Sequence, residues 1–186
     1  MTTQHATKGD LLIASSGLMD PSFQQTVVLI CDHDPARGTH GLVLNQPIPL
    51  PKELLAAIPF PAPEILFRGG PVQPDSLQVL HPFGDRIPGA CKVMDGLYIG
   101  GDFDVLAGGL ADETLDSDFC RFYLGYSGWD PDQLDREFQE GSWLRVAGST
   151  AILRQTPPAA LWAQAIRKLG QQEPVMAHFP AEPVWN

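Results

Sequence analysis

Glycine and proline recur so often along this chain that little room is left between them for long regular elements. The 186 residues include 18 glycines and 18 prolines, and most of the apolar runs between them are short. Short apolar runs bounded by turn residues are typical of buried strands. Strands dominate and do not alternate strictly with helices. We therefore predict an α+β fold built on a mixed sheet.

Strands are predicted where β-branched and aromatic residues cluster between turn residues. The strongest signal is Thr26–Cys31, and Gly41–Asn45 follows it closely enough to form a hairpin-like pair. The dipeptide Asp95-Gly96 predicts a type I′ turn between two further strands. The other predicted strands are Leu11–Ala14, Glu64–Phe67, Leu77–Leu80, Ala90–Val93, Leu97–Ile99, Phe119–Tyr126 and a final pair, Trp143–Val146 with Ala151–Arg154.

Helices are predicted from capping residues and from apolar residues with a period of about 3.6 residues. Asp130 is the predicted N-cap of a helix over 131–140, and Gln133 would complete its capping box. The other predicted helices are a short one over 52–58, one after the N-cap Asp102 that runs to Leu110, and one that starts at Thr156-Pro157 and ends at Gly170.

The chain reads as one domain. No linker, repeat or low-complexity stretch interrupts Asp10 to Gly170. We therefore predict a single domain over 1–186 with a core over about 9–170. The tail over 171–186 contains three prolines and is predicted to be irregular, either docked as an extended strap or mobile.

The formal net charge of −10 comes from one part of the chain. Between Asp95 and Glu140 there are twelve acidic residues and two basic ones, and the rest of the chain is neutral. The longest basic run is Arg167-Lys168. Binding to nucleic acid through its phosphates needs a basic patch, so the charge disfavours direct nucleic-acid binding. The default interpretation of the acidic segment is a solvent-exposed face. The functional interpretation is that its charge attracts a basic partner.

Cysteine usage and hydropathy indicate the compartment. Cys31, Cys91 and Cys120 are an odd number at wide spacings, which indicates free thiols rather than a disulfide framework. No secretory signal is visible, and no run of 18 apolar residues occurs that could span a membrane. We therefore expect a cytoplasmic protein without membrane association.

One polar cluster could hold a metal or activate a thiol. Asp32-His33-Asp34 and His40 offer oxygen and nitrogen ligands, but strand neighbours face opposite sides and a polar turn explains the cluster better. Cys31 with His33 could pair a nucleophile with a base, although the apolar run around Cys31 favours a buried, inert thiol. We predict no metal and no cofactor, and keep Cys31 as the reactive-thiol candidate.

A second motif resembles the nucleophile elbow of hydrolases. In Gly125-Tyr126-Ser127-Gly128-Trp129 a serine lies between a predicted strand and a predicted helix. The pattern fails because Trp129 occupies the position of the last glycine. A strand-to-helix turn with a positive φ at Gly128 is the competing interpretation.

Each motif alone is weakly specific, but together the motifs resemble one family. Their order and spacing, from about Gly9 to Gly170, are similar to those of the YqgE/AlgH family of bacterial proteins, also called UPF0301. The matching stretches are Leu11-Leu12-Ile13-Ala14, Asp20-Pro21-x-Phe23, Thr26-Val27 leading to Cys31-x-His33, Gly41-Leu42-Val43-Leu44-Asn45-x-Pro47, Gly69-Gly70-Pro71-Val72, and Gly125-Tyr126-Ser127-Gly128-Trp129 followed by Gln133-Leu134.

The resemblance implies a compact single-domain α+β fold on a strongly bent sheet and no established enzymatic activity. Members are often labelled transcriptional regulators, without a DNA-binding motif that supports the label. The chain departs from the family pattern at three positions. Ser16 stands where a proline is common, and Gln25 and Gln46 stand where arginines are common. The two glutamines remove positive charge beside two motifs, so no anion-binding role is carried over to them.

These observations favour a non-catalytic binding or regulatory protein of unassigned partner, with another protein as the candidate. The alternatives are an enzyme that uses Cys31 with His33, or Ser127, as nucleophile, and a direct DNA-binding regulator. A structural role for the motif residues is the competing interpretation, with Phe23 and Trp129 in the core. The predicted recognition surface consists of turn residues at strand ends, namely Asp20, Phe23, Asn45, Gly69, Gly70, Pro71, Tyr126, Gly128 and Trp129.

Overall fold

A computed structural model describes residues 5–50, 52–53, 65–151 and 157–172. Its helices are α1 (Phe103–Ala111), α2 (Gln133–Gln139) and α3 (Pro158–Gln172), and short 3-10 turns cover Gly84–Arg86 and Ser117–Phe119. Its strands are β1 (Asp10–Ala14), β2 (Val27–Asp34), β3 (Gly38–Val43), β4 (Pro47–Ile48), β5 (Leu66–Arg68), β6 (Val72–His81), β7 (Cys91–Met94), β8 (Leu97–Ile99), β9 (Arg121–Trp129) and β10 (Trp143–Ala147).

The strands form one mixed sheet. The main path runs β10-β1-β2-β3-β9-β6-β8-β7, and β5 joins it by pairing with β9. The β5–β9 pair is parallel, whereas the pairs along the main path are antiparallel. The predicted α+β class with a mixed sheet is therefore confirmed.

The sheet bends until its two halves face each other. In a flat sheet β1 and β7 would lie roughly 30 Å apart, because six strand spacings of about 4.8 Å separate them. Instead Leu11 of β1 and Val93 of β7 belong to the same inner core cluster, together with the wholly buried Tyr123 of β9. Leu161 of α3 closes this cluster. The strong bend that the family resemblance implies is thus confirmed.

Each outer face of the bent sheet has its own core. On the first half, Val28 and Ile30 of β2 pack with Trp129, Trp143 and Leu134, the last of which lies on α2. On the second half, a cluster of buried side chains packs α1 against the sheet, and its members are Leu66, Val79, Ile87, Leu106, Ala107, Leu110, Leu115 and Phe122. The two short helices therefore fasten opposite halves of the same sheet.

A bulge in β6 opposite Gly125 interrupts its pairing with β9 and sets the direction of the β9 side chains. Residues 73–76 of β6 lie opposite Gly125 alone. Gly125 has a φ of 67°, and a Cβ there would lie 2.6 Å from the carbonyl oxygen of Gly70. Strand alternation breaks at such a bulge. As a result, Tyr123 and Tyr126 both pack against the inner cluster despite their odd spacing.

Several local predictions are confirmed. The Asp102 carboxylate caps α1 by accepting hydrogen bonds from the N–H groups of Asp104 and Val105, at 3.0 and 3.1 Å. Strands β2 and β3 pair antiparallel as expected from the hairpin-like pattern, although β2 extends further, to Asp34. The loop between them is therefore only three residues long.

Other local predictions are wrong. The turn between β7 and β8 is not type I′, because Gly96 has a positive φ and Asp95 does not. Helix α3 continues through Gly170 to Gln172. Strand β10 pairs with β1. Ala151, the first residue of the strand predicted over 151–154, is helical. Residues 152–156, most of the predicted helix over 52–58, and the tail beyond Gln172 lie outside the described residues.

Helix α2 begins later than predicted. Its N-cap is Asp132, which has a φ of 60° and caps without a side-chain hydrogen bond. Asp130 contributes backbone groups instead of its side chain: its N–H donates to the Gln133 side chain at 3.0 Å, and its carbonyl accepts from the Gln133 N–H at 3.0 Å. The Gln133 half of the predicted capping box is present without the Asp130 half. Within the described chain, no helix is long and apolar enough to cross a membrane.

Candidate functional site

The glycine- and aromatic-rich motif at 125–129 lies within β9 and not at a strand-to-helix turn. Ser127 is completely buried, and its hydroxyl donates a hydrogen bond to the carbonyl of Gly69 at 3.0 Å. The residue with the positive φ is Gly125 rather than Gly128. Ser127 therefore ties β9 to the neighbouring loop, and the position lacks the exposed hydroxyl of a nucleophile elbow.

Trp129 belongs to a closed aromatic cluster. Its side chain is only 5% exposed. Its ring centroid lies 5.9 Å from that of Phe23, in a stacked arrangement, and 5.9 Å from that of Trp143, which it meets edge to face. Phe23 and Trp143 also meet edge to face at 5.4 Å. Trp129 is thus core, contrary to its predicted place on an exposed recognition surface.

Glu137 of α2 satisfies both indoles of this cluster. The indole N–H groups of Trp129 and Trp143 donate to the same carboxylate oxygen, at 2.9 and 2.7 Å. The other oxygen accepts from the Gln133 side-chain amide at 2.8 Å. Buried indole N–H groups need such a partner. One carboxylate therefore fixes the helix to the sheet and holds Gln133 in place.

Other predicted surface residues also act within the fold. The Asn45 amide bridges two backbone groups, accepting from the N–H of Val27 and donating to the carbonyl of Gln25, both at 2.9 Å. Gly69 and Gly70 are buried beneath β9. A Cβ on Gly70 would lie 2.3 Å from the backbone of Tyr126. These residues allow close approach between backbones rather than contact with a partner.

The loop that precedes β2 is fixed in a similar way. The Asp20 carboxylate accepts from the N–H of Ser22 at 2.8 Å and so shapes the turn. Gln46 donates to the carbonyl of Ser22 at 3.3 Å. Gln25 is exposed and has a φ of 54°. Gln25 and Gln46, where the family resemblance implies arginines, therefore flank one turn.

An open cleft of about 470 Å³ lies where β2, β3, β6 and β9 come together. At its centre Asp32, His40 and Gly128 are side by side on three neighbouring strands. The rings of His40 and Tyr126 approach each other over this position, with centroids 4.7 Å apart. Its lining consists of Asp32, Asp34, Arg37, Gly38, Thr39, His40, Val72, Tyr126, Gly128, Trp129, Asp130 and Gln133.

The cleft combines a neutral aromatic pair with charged rims. Burial lowers the pKa of His40 below its usual range, against the opposing effect of the Asp32 carboxylate. The pKa of Asp34 is also lowered, because the carboxylate accepts from the N–H of Ala36 and binds the Arg37 guanidinium. The Arg37 Nε lies 2.9 Å from an Asp34 oxygen. His40 therefore presents an uncharged ring at neutral pH.

A second cleft of about 380 Å³ adjoins the first around the tip of the β2–β3 hairpin. The two clefts share Asp34, Gly38, Thr39 and Asp130. The remaining residues that line the second cleft are His5, His33, Pro35, Pro131, Asp132, Leu134 and Asp135. The exposed members of the predicted recognition surface that line neither cleft are Asp20 and Pro71.

Neither the thiol candidate nor the metal candidate has the required surroundings. Cys31 is completely buried in the inner cluster, and burial raises the pKa of its thiol, whereas a reactive cysteine needs a lowered pKa and access. His33 bonds Thr39 at 2.8 Å instead of facing the thiol. Among the described residues, no group of three or more His, Cys, Asp or Glu side chains is placed to hold a metal.

Two residues of this region were not expected from the sequence. His40 was considered only as a metal ligand, yet it packs against Tyr126. The contact follows from the register of β3 with β9, which places His40 opposite Gly128 and diagonal to Tyr126, and no local signal in the sequence sets that register. Glu137 carries a clearer signal, since it follows Gln133 at the i,i+4 spacing on a short helix between two tryptophans.

Comparison with known proteins places this geometry in a family. The model of the AlgH-like family matches residues 11–174. The chain belongs to the AlgH-like family. A UPF0301 protein of Chlorobaculum tepidum is 38% identical over 179 residues, which cover 96% of this chain and 95% of the relative. A UPF0301 protein of Bacteroides thetaiotaomicron is 34% identical over 97% of this chain and 91% of its own length.

Two solved structures have the same fold. The solution structure of the AlgH protein from Pseudomonas aeruginosa matches with a TM-score of 0.71 at 30% identity and covers 96% of this chain and all of its own. A crystal structure of a Corynebacterium diphtheriae protein gives a TM-score of 0.72 at 20% identity over 90% of each chain. The second similarity concerns the fold alone.

Proposed function

We propose that this AlgH-like chain is a non-catalytic binding or regulatory protein that recognises another protein through the cleft around His40, Tyr126 and Gly128. The observation that carries the proposal is a glycine for which the fold itself has no need. Gly128 forms the exposed floor of the cleft, and its φ lies outside the left-handed region. A glycine within a strand often marks a place where a ligand or another backbone approaches closely.

Comparison with the other strand glycines isolates Gly128. A Cβ on Gly38, Gly41 or Gly125 would lie within 2.9 Å of another atom, so the packing requires glycine at each of them. A Cβ on Gly128 would lie 3.5 Å from the Tyr126 ring and 3.6 Å from Val72, which is ordinary contact. Among the glycines that lie in the described strands, Gly128 is thus the one without an internal steric reason. The free space above it supports a role in binding.

A binding role fits the chemistry better than catalysis. The candidate nucleophiles Cys31 and Ser127 are both completely buried, and the cleft contributes the neutral His40 without either of them. Enzymes of the acyl-transfer type need a nucleophile and a base within hydrogen-bond reach. The net charge of −10 disfavours nucleic acid as the partner. These points leave protein recognition as the best-supported function.

A cytoplasmic location forms part of the proposal. Cys31, Cys91 and Cys120 are free thiols, and Cys91 is exposed. Unpaired cysteines are typical of reducing compartments. The relatives named above come from bacteria, so the proposed place of action is the bacterial cytoplasm.

The test is affinity capture from a lysate of the source bacterium with variants of matched glycines. Gly128→Val fills the floor of the cleft and should abolish capture of a partner that wild type retains. Gly108→Ala lies on α1, where a Cβ meets no atom within 4 Å, and should leave capture unchanged. Denaturation midpoints confirm that both variants are folded. Equal capture by Gly128→Val and wild type would refute the proposal.

A further inference from the structure

The charge around the hairpin tip indicates what kind of partner the cleft takes. The cleft around His40 and Tyr126 is lined by one arginine, Arg37, and by three aspartates, Asp32, Asp34 and Asp130. Asp34 and Asp130 also line the second cleft, at the hairpin tip. Such an excess of carboxylates complements a positively charged partner.

The cations that already lie near these carboxylates can be displaced. Arg37 binds Asp34 at 2.9 Å, but the Arg37 side chain is 78% exposed. Lys8 approaches Asp32 at 3.3 Å from outside the lining, and that pair is also exposed. Exposed ion pairs of this kind contribute little to stability. A cation of the partner can therefore take their place.

The shape of the cleft favours a flat cation. Beside the carboxylates, the rings of His40 and Tyr126 stand over the open floor at Gly128. A guanidinium group is planar, stacks on aromatic faces and binds carboxylates with two parallel hydrogen bonds. A lysine ammonium offers only a compact charge. The combination of ring, open floor and carboxylate thus selects arginine over lysine.

We infer that the cleft binds an arginine-containing segment of a partner protein, with a guanidinium between the His40–Tyr126 pair and the aspartates Asp32, Asp34 and Asp130. The inference rests on the proposed function, because it names the partner of the same cleft. Asp130 belongs to the acidic segment over 95–140, but Asp32 and Asp34 lie outside it. The inference therefore concerns this cleft and its rings, and not the charge of the acidic segment alone.

The experiment titrates the whole ¹⁵N-labelled protein with capped Gly-Arg-Gly-Arg-Gly peptide and follows backbone amide resonances. The expected result is saturable shifts at Thr39, Tyr126 and Gly128, with the amides of α1 unaffected. The matched Gly-Lys-Gly-Lys-Gly peptide should bind more weakly, by about tenfold, and a matched Gly-Glu-Gly-Glu-Gly peptide should not bind. Added salt should weaken the binding of the arginine peptide.

Two variants separate site-specific charge from net charge. Asp32→Asn and Asp95→Asn each remove one exposed carboxylate that is paired with a lysine, so they change the net charge equally. Asp32→Asn should weaken binding of the arginine peptide by about tenfold, and Asp95→Asn should leave it nearly unchanged. Both positions are on the surface, which keeps the fold intact.

The contrary outcomes are distinct. No shift at the cleft, shifts confined to α1, or equal weakening by both variants would overturn the arginine assignment. Equal affinity for the lysine peptide would overturn the stacking part of the inference. In each of these cases the proposed function still stands if capture depends on Gly128, whereas loss of that dependence removes the proposed function itself.

Discussion

Gly128 and Trp129 are neighbours on β9, yet their surroundings are opposite. Trp129 is packed between Phe23 and Trp143, and its N–H is bound to Glu137. Gly128 opens into the cleft beneath Tyr126. Adjacent strand residues face opposite sides of a sheet, so one short motif serves two purposes. The tryptophan side holds the fold together, and the glycine side leaves space for a partner.

Of the changes on the two sides of β9, Trp129→Ala should have the largest effect on stability. Removing a buried tryptophan should destabilise the protein by about 3–5 kcal/mol, through lost burial and the cavity left behind. The loss should appear as a lower denaturation midpoint. In the wild type, Trp129 fluorescence should resist a soluble quencher, because the side chain is only 5% exposed. A midpoint close to that of wild type would mean that Trp129 belongs to the open side after all.

Glu137→Ala should be the next most damaging change on the closed side. It leaves the indole N–H groups of Trp129 and Trp143 without their shared acceptor. Leaving buried donors unsatisfied costs about 1–3 kcal/mol each. Because the same carboxylate holds Gln133, the amide resonances that line the cleft should shift as well. Urea denaturation gives the stability, and Glu137→Gln, which keeps an acceptor oxygen, should lose less of it.

The contrast between the two sides could be predicted from the sequence only in part. The apolar runs and β-branched residues located most strands, because burial and turn chemistry act locally. The choice between Gly125 and Gly128 as the residue with positive φ could not be predicted, because both are glycines in the same motif. A non-local fact decides it: residues 73–76 of β6 lie opposite Gly125 and force the bulge there.

The same limit applies to the candidate site. Tyr126 and Gly128 were expected at a recognition surface, and both line the cleft. Trp129 was expected on the same surface. The sequence pattern could not exclude this, because an aromatic residue near a turn is equally compatible with a buried and with an exposed position. Its burial depends on Trp143 and Glu137, which follow later in the chain. The His40–Tyr126 contact likewise depends on the register of β3 with β9.

Acid should destabilise the fold through two histidines, one of which lies in the cleft. Burial lowers the pKa of His40 in the cleft and of His81 below their usual value near 6.5. In the folded state each therefore binds its proton at lower pH than in the unfolded state. Their contribution to stability is complete above about pH 6.5 and is lost as the pH falls through the folded pKa. The slope cannot exceed about 1.4 kcal/mol per pH unit for each histidine.

Denaturation midpoints measured from pH 7.5 down to 5 check this sign. His40→Phe keeps a ring against Tyr126 and removes the titration, so it should flatten the pH dependence. His81→Phe removes the hydrogen bond from the ring to the Gly100 carbonyl at 2.8 Å and should lower stability at pH 7.5 as well. A steeper decline with acid in His40→Phe would show that the direction of the His40 shift is wrong.

Gly128→Ala should have the smallest effect on stability, and the change should be a gain, whereas the changes on the Trp129 side cause losses. The added Cβ meets Tyr126 at ordinary contact distance, and the backbone needs no left-handed φ. A glycine replaced without strain stabilises a protein by about 0.4–1 kcal/mol, because the unfolded chain loses freedom. Gly128→Ala should therefore raise the denaturation midpoint slightly while weakening partner binding, so that stability and binding change in opposite directions. Gly70→Ala is the internal control, since its Cβ would lie 2.3 Å from the Tyr126 backbone and should destabilise the fold. A loss of stability in Gly128→Ala comparable to that in Gly70→Ala would show that the fold, rather than a partner, requires the glycine at the floor of the cleft.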